Sequence, residues 1–360
     1  MAGFLDSIIK NQCCKTNRYI NELLEKARKE FGEDSSEYKG IYHQYFKIPR
    51  NTKSLLKNRR HYEAEVSGTG IPHGIERLYR RSVVLDLLSA CAAECVYCLR
   101  GYYDKFVLSG DQIKDVARYC GNDKFLQEVL ITGGDPMIAP SKLKFLITEL
   151  ASVAPNIKIV RIGTRLPVQD PIMFDTSLFG FFESLKKRFI IEIGVQVNHY
   201  FELQEKTREI IGRLQVAGCR MYCQNVILKD VNDNLDALVK LYDEIRYLGL
   251  SPHYLFHAVP MIGTDDFRTS VQKGLDLIKQ LETCGKISGR AKPFYALMTD
   301  VGKVTLYDGT IVGRQGNYIL IKTNFKLSDR LLWNPSYKLP ASAFLNEDNT
   351  ITVKYLDGND

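Results

Sequence analysis

The chain has 360 residues, 45% of them apolar and 25% charged, with a formal net charge of +7. These are ordinary proportions for a globular protein of one large domain or two. No apolar run approaches the ~18 residues of a membrane span. Met1–Lys10 has no signal-peptide pattern, and nine cysteines with Cys13 beside Cys14 do not make a secreted disulfide framework. A reducing cytoplasm is therefore expected.

In chain order, residues 1–75 are expected to form a helical N-terminal extension. Ile20, Leu23, Leu24 and Ala27 fall at helical spacing within Arg18–Phe31. Gly32–Gly40 has turn composition, and Ser67–Pro72 is a loop. Basic residues gather in Lys53–Arg60 and again at Arg77, Arg80 and Arg81. A solvated face, or a grip on small-molecule phosphate or carboxylate, accounts for them better than nucleic acid.

Residues 76–289 change character. Apolar runs at Val83–Leu88, Glu128–Thr132, Lys158–Gly163, Phe189–Val195, Met221–Leu228 and Pro252–Phe256 predict strands. Between and after them, Ser109–Cys120, Ser141–Ser152, Thr176–Lys187, Glu202–Ala217, Leu235–Leu248 and Ser270–Thr283 predict helices. Apolar strands separated by helices argue for a parallel sheet covered by helices, here a partial (β/α)6 barrel of the α/β class. Working residues then sit at strand C-termini. Over residues 290–360 the helical signal fades. Val304–Tyr307, Tyr318–Lys322 and Thr350–Tyr355 predict a small β-rich C-terminal segment.

The first predicted strand runs into Cys91-Ala-Ala-Glu-Cys95-Val-Tyr97-Cys98. A cubane iron–sulfur cluster takes thiolate ligands, and three cysteines leave one of its four irons open. Three other readings exist. Structural zinc wants four ligands, and no second pair follows at ligand spacing. A redox pair would use Cys95 and Cys98 and leave Cys91 idle. Inert buried thiols are common, but rarely three in eight residues. The second strand ends in Thr132-Gly133-Gly134-Asp135-Pro136, a turn at which a ligand can approach the backbone.

The cysteine spacing, with an aromatic before its last cysteine, resembles the radical S-adenosylmethionine superfamily. Val160–Val168, Gly218–Asp233 and Phe267–Gly274, and more loosely Asn198-His199, resemble segments of its lysine 2,3-aminomutase family. The resemblance covers about Tyr79 to Gly274. It implies that Cys91, Cys95 and Cys98 hold a [4Fe-4S] cluster whose open iron takes S-adenosylmethionine, with Gly133, Gly134, Asp135 and Gln224 around that ligand. It implies that Arg100 binds a substrate carboxylate and that Tyr79 lies near a pyridoxal ring. Members of the family bind pyridoxal phosphate, form an imine with the substrate amine, and move the nitrogen after a 5′-deoxyadenosyl radical has removed a hydrogen. An external flavodoxin- or ferredoxin-type donor supplies the electron; a homo-oligomer is left open, and no membrane partner is expected.

The chain departs from the family at several points. Where the family has Arg-Tyr-Pro-Asp-Arg, with arginines for the cofactor phosphate, it reads Leu78-Tyr79-Arg80-Arg81-Ser82. No Lys-Thr-Pro is present, so Lys303 is the nearest candidate for a Schiff base. The acids that grip the distal ammonium of lysine are missing from His257-Ala258-Val259-Pro260 and from Tyr295-Ala296-Leu297-Met298. A buried ammonium needs a partnering charge, so the expected substrate is amino-acid-like but not lysine. His257 is open to a role as acid, base or ligand, or as a satisfied core residue. Cys219 and Cys223, about 13 Å apart on a strand, are expected core thiols. Tyr102 and Tyr103 close over the adenosyl group or merely pack. Three functions stay open: a pyridoxal-dependent amino shift, a pyridoxal-independent hydrogen abstraction, and a cluster-bearing protein without turnover.

Overall fold

The computed structural model describes residues 15–48, 70–100, 106–261 and 263–360. The expectations placed on Cys13 and Cys14, on Lys53–Arg60, on Tyr102 and Tyr103, and on Ser67–Thr69 lie outside the described residues.

Two helices open the described chain. Helix α1 (Arg18–Phe31) starts at Asn17, whose side chain accepts a hydrogen bond from Ile20 N at 2.8 Å. It buries Ile20, Leu23 and Ala27. Helix α2 (Ser36–Tyr45) occupies part of the stretch expected to turn. Ser35 caps it by accepting from Tyr38 N at 3.1 Å, and Ile41 and Tyr45 bury against α1. Tertiary packing overrides the turn signal of Gly40, which is buried inside the helix.

The main sheet has nine strands in sequence order. They are β1 (Ile75–Glu76), β2 (Ser82–Leu88), β3 (Glu128–Gly133), β4 (Ile159–Thr164), β5 (Ile190–Gln196), β6 (Arg220–Ile227), β7 (Ser251–His257), β8 (Phe294–Thr299) and β9 (Gly302–Thr305). Strands β2 to β8 are parallel, and β1 and β9 run antiparallel at the two edges. The six crossovers carry α3 (Gly110–Asn122), α4 (Pro140–Val153), α5 (Ser177–Ser184), α6 (Glu205–Val216), α7 (Leu235–Tyr247) and α8 (Val271–Thr283). The six expected βα units are present, and β8 adds a seventh parallel strand. Residues 302–305, expected to open the C-terminal segment as a strand starting at Val304, instead form the last strand of this sheet.

The sheet is open, and side chains bridge its two ends. Lys303 N on β9 donates to Tyr79 Oη, beyond β1, at 2.7 Å. Arg330 donates to the carbonyls of Leu78 and Val301 from the other side of the same seam. Arg330 belongs to α9 (Leu327–Trp333), which follows β10 (Ile311–Gln315) and β11 (Tyr318–Lys326). With β12 (Ala343–Leu345) and β13 (Thr350–Leu356) these strands form a separate antiparallel sheet in the order β10-β11-β13-β12. No helix among the described residues is long and apolar enough to cross a membrane.

Of the expected basic cluster at Arg77, Arg80 and Arg81, only Arg77 leaves the surface; Arg80 and Arg81 are exposed. Arg77 is buried and donates to Asp123 Oδ2 at 2.5 Å and Tyr119 Oη at 2.9 Å. Arg81 pairs with Glu128 at 2.8 Å, and Arg80 lies over the Phe125 ring, 3.8 Å from Asp329.

His257 is a satisfied core histidine. One ring nitrogen meets Tyr355 Oη of β13 and the other the carbonyl of Thr269, both at 2.8 Å. Burial, helped by Arg268, pushes its pKa from 6.5 down to about 3. Between those values the unfolded chain takes up a proton that the folded chain refuses, so this group's stability contribution is complete above 6.5 and falls as pH drops toward 3. His257→Gln should therefore lose about 2 kcal/mol less stability than the parent between pH 7 and pH 5, measured by urea unfolding at the two values.

Candidate functional site

The C-terminal ends of the parallel strands surround one cavity of about 280 Å³. Cys91, Cys95, Cys98, Arg100, Gly133, Gly134, Asp135, Gln224, Tyr79 and Lys303 all line it. Residues singled out separately along the chain thus share one cavity.

The three cysteines lie on the loop after β2. They are free and partly buried. Burial raises the Cys98 thiol to about 11 and pushes Cys91 higher still, so a cation entering here must displace protons from them. Among the described residues no group of three or more His, Cys, Asp or Glu is placed to hold a single metal ion. A cluster asks something else of a loop, one iron per thiolate, and the donor chemistry fits it.

The loop is held from the N-terminal extension, a contribution that sequence reasoning missed. Glu94 N donates to the Lys15 carbonyl and Val96 N to the Gln44 carbonyl, both at 3.0 Å. Asn17 Nδ2 donates to Ala92 O at 3.2 Å and to Gln169 O at 2.9 Å. From the opposite side Gln169 Nε2 donates to Ala93 O at 2.9 Å and to Cys95 Sγ at 3.3 Å. Arg165 donates to the same sulfur at 2.7 Å.

Gly133 and Gly134 let β3 pass directly beside the cysteine loop. A Cβ at Gly133, where φ is +119°, would stand 2.2 Å from Leu88 O; one at Gly134 would stand 2.0 Å from Ala90 O. Both obstacles are backbone, so neither can swing aside. Asp135 N then donates to Ala90 O at 2.8 Å. The two glycines thus set the distance between the cysteine loop and the cavity floor.

Asp135 does not point its charge at the open cavity. Its carboxylate accepts from Thr164 Oγ1 at 2.8 Å, Arg165 N at 2.7 Å, Leu166 N at 2.8 Å and Met137 N at 3.0 Å. Burial raises its pKa, and those donors oppose the rise. It joins the turn after β3 to the turn after β4.

The remaining ligand candidates divide in two. Gln224 Nε2 reaches Tyr222 Oη at 3.4 Å and Gln196 Nε2 reaches Tyr97 Oη at 3.5 Å, long contacts that leave both amides able to turn toward a ligand. With Gly133 and Gly134 they are the residues that would hold S-adenosylmethionine. Arg100 lies between two acids, 3.1 Å from Glu76 and 3.3 Å from Asp86. Sequence reasoning passed over both acids; the polar Asp86 inside an apolar strand was the available signal.

Lys303 and Tyr79 are neighbours in the cavity, with the Lys303 ammonium 5.5 Å from the Tyr254 ring centre and 5.7 Å from that of Phe256. The arginines that would serve a pyridoxal phosphate are elsewhere, since Arg80 and Arg81 are engaged with Asp329 and Glu128 and neither lines the cavity. Among the described residues the phosphate half of that cofactor's site does not fit. Val259 and Met298 line the wall where the family acids were looked for, and Asp300 does not. Cys219 and Cys223 are buried in the main core.

No family model matches the chain. Over 250 residues it is 32% identical to "Putative L-lysine 2,3-aminomutase" of Aquifex aeolicus, covering 68% of this chain and 66% of that protein. Over 256 residues it is 28% identical to "Glutamate 2,3-aminomutase" of Clostridioides difficile, covering 69% and 59%. The chain thus spans just under two thirds of the length of the first relative and less of the second. Among solved structures, Streptococcus suis SuiB bound to S-adenosylmethionine is 13% identical with a TM-score of 0.46, covering 62% of this chain and 52% of that one.

Gly134→Ala should disrupt the cysteine loop because its new methyl group meets a carbonyl that cannot move. After anaerobic reconstitution, iron analysis of this variant should give less than about half the parent's content.

Proposed function

We propose, for a chain that belongs to the lysine 2,3-aminomutase-like family of the radical S-adenosylmethionine superfamily, that it abstracts a hydrogen atom from an amino-acid-like substrate other than lysine. The observation that carries this reading is the shared cavity. Three thiols, the Gly133-Gly134 turn and Gln224 meet there beside Arg100. When bound and reduced, the cluster with S-adenosylmethionine supplies a carbon-centred hydrogen abstractor.

The protein's own residues do the positioning. Cys91, Cys95 and Cys98 would each hold one iron, and Lys15, Asn17 and Gln44 of the N-terminal extension keep their loop in place. Gln224 and Gln196 orient the ligand beside it. Arg100, with Glu76 and Asp86, presents one positive and two negative charges. That set complements the carboxylate and ammonium of an amino-acid head group. The far wall is apolar where it carries Val226, Phe256, Val259 and Met298. Among the described residues it offers no acid to a distal ammonium, and the Lys303 cation stands beside Met298, its partner across β8 and β9. Holding one C–H bond at a fixed place is the main contribution the fold makes to rate and selectivity. The electron comes from an external flavodoxin- or ferredoxin-type donor.

With dithionite as reductant, the reconstituted protein should form 5′-deoxyadenosine, and each Cys→Ala variant at 91, 95 or 98 should form none. Lysine should leave the rate at its substrate-free value, while an amino acid with an uncharged side chain raises it. Stimulation by lysine alone would sink the substrate assignment.

A second reading, with pyridoxal phosphate bound at Lys303, is favoured by the meeting of Lys303 and Tyr79. The first reading expects Lys303→Ala to keep substrate-dependent 5′-deoxyadenosine formation. A mass adduct fixed on Lys303 of the parent by borohydride reduction, together with loss of turnover in Lys303→Ala, would decide for the second.

A further inference from the structure

The three thiols are not equivalent. Of these three, and among the described residues, only Cys95 receives side-chain nitrogen donors at its sulfur, Arg165 at 2.7 Å and Gln169 at 3.3 Å. Cys98 receives the backbone N–H of Arg100 at 3.3 Å. The Arg165 side chain is buried, and it follows directly on the joint that Asp135 makes with Thr164, Arg165 N and Leu166 N.

We propose that Arg165 is a positioning residue for the cluster, polarising one chosen thiolate, Cys95, and thereby raising the reduction potential of the centre. Reduction adds a negative charge. A cationic donor on a ligating sulfur stabilises that charge more than it stabilises the oxidised state, and hydrogen bonds to the sulfurs are among the factors that set such potentials. The surroundings of Arg165 keep it aimed. Its Nη2 donates to Glu202 and, at 3.1 Å, to Gln44 Oε1. Tyr97, the aromatic before the last cysteine, accepts from Arg165 and from Asn198 Nδ2. Glu202 is itself spread over Gln44 Nε2 at 3.0 Å and the backbone N–H groups of Asn198 and His199 at 2.8 Å. These donors disperse the counter-charge away from the sulfur, while the guanidinium faces it.

The inference rests on the cluster reading above. A parent protein that takes up no iron sinks both, whereas the comparisons below separate the two. The measurement is the midpoint potential, followed by electron paramagnetic resonance during stepwise reduction without S-adenosylmethionine, with iron content alongside. The double variant Arg165→Gln, Glu202→Gln removes both charges of the pair, so no lone charge stays buried. Gln169→Leu keeps the cation and removes the neutral donor, together with its bond to Ala93 O. Both should keep the parent's iron and move the midpoint to more negative potential. The double variant should change the one-electron equilibrium by about tenfold, about 59 mV, and Gln169→Leu by less. Glu202→Gln alone keeps the cation, removes its counter-charge, and should move the midpoint the other way. Unchanged midpoints in variants that retain iron overturn the proposal. So does loss of iron from the double variant when Gln169→Leu and Glu202→Gln both keep the parent's midpoint, which assigns Arg165 to packing.

Discussion

The buried carboxylate of Asp135 is the joint on which this site depends. It gathers one hydroxyl and three backbone N–H groups from two turns that the parallel sheet alone would leave independent. A carboxylate taken out of water is costly unless donors replace the solvent it loses, and here the donors are almost all main chain. The consequence is geometric. Holding Arg165 by its backbone fixes where its side chain starts, and that side chain ends on a cysteine sulfur. From a turn at the end of β3, one anion therefore governs the relation between the cavity floor and the cysteine loop.

The second contribution comes from outside the barrel. Lys15 and Gln44 offer carbonyls to the loop, and the Asn17 amide reaches both the loop and the β4 turn. The loop thus has backbone hydrogen-bond partners on the side that the sheet does not cover. A loop of this kind, held from two directions, can present its sulfurs in a fixed arrangement before any metal arrives. The helices at the start of the described chain are in this sense part of the site, although they contribute no ligand.

How much of this could be read from the chain follows from what each feature needs. The cysteine triplet, the Gly-Gly turn and the alternation of strands and helices are local patterns, and local patterns survive in a one-dimensional string. Gly133 and Gly134 signalled a close approach, but the thing approached, Leu88 O and Ala90 O, could only be seen once β2 and β3 were side by side. Asp135 was legible as a polar residue at a strand end. Its partners, about 30 residues on, were not. The contact between Gln44 and Arg165 joins residues 121 apart, and no periodicity encodes it. Arg77 misled for the opposite reason. Sequence shows its charge but not Asp123 and Tyr119, which take it into the interior.

The seam between the first and last strands is stitched by Tyr79 and Arg330, not by a ladder of main-chain bonds. A closed barrel fixes its girth by strand count and stagger, so its bore changes only when the whole wall is rebuilt. Here two side chains span the gap. A shorter or longer residue at either position alters how far the walls stand apart while every strand keeps its register. In this chain the fit of the walls around a guest thus depends on the fastening as well as on the strands.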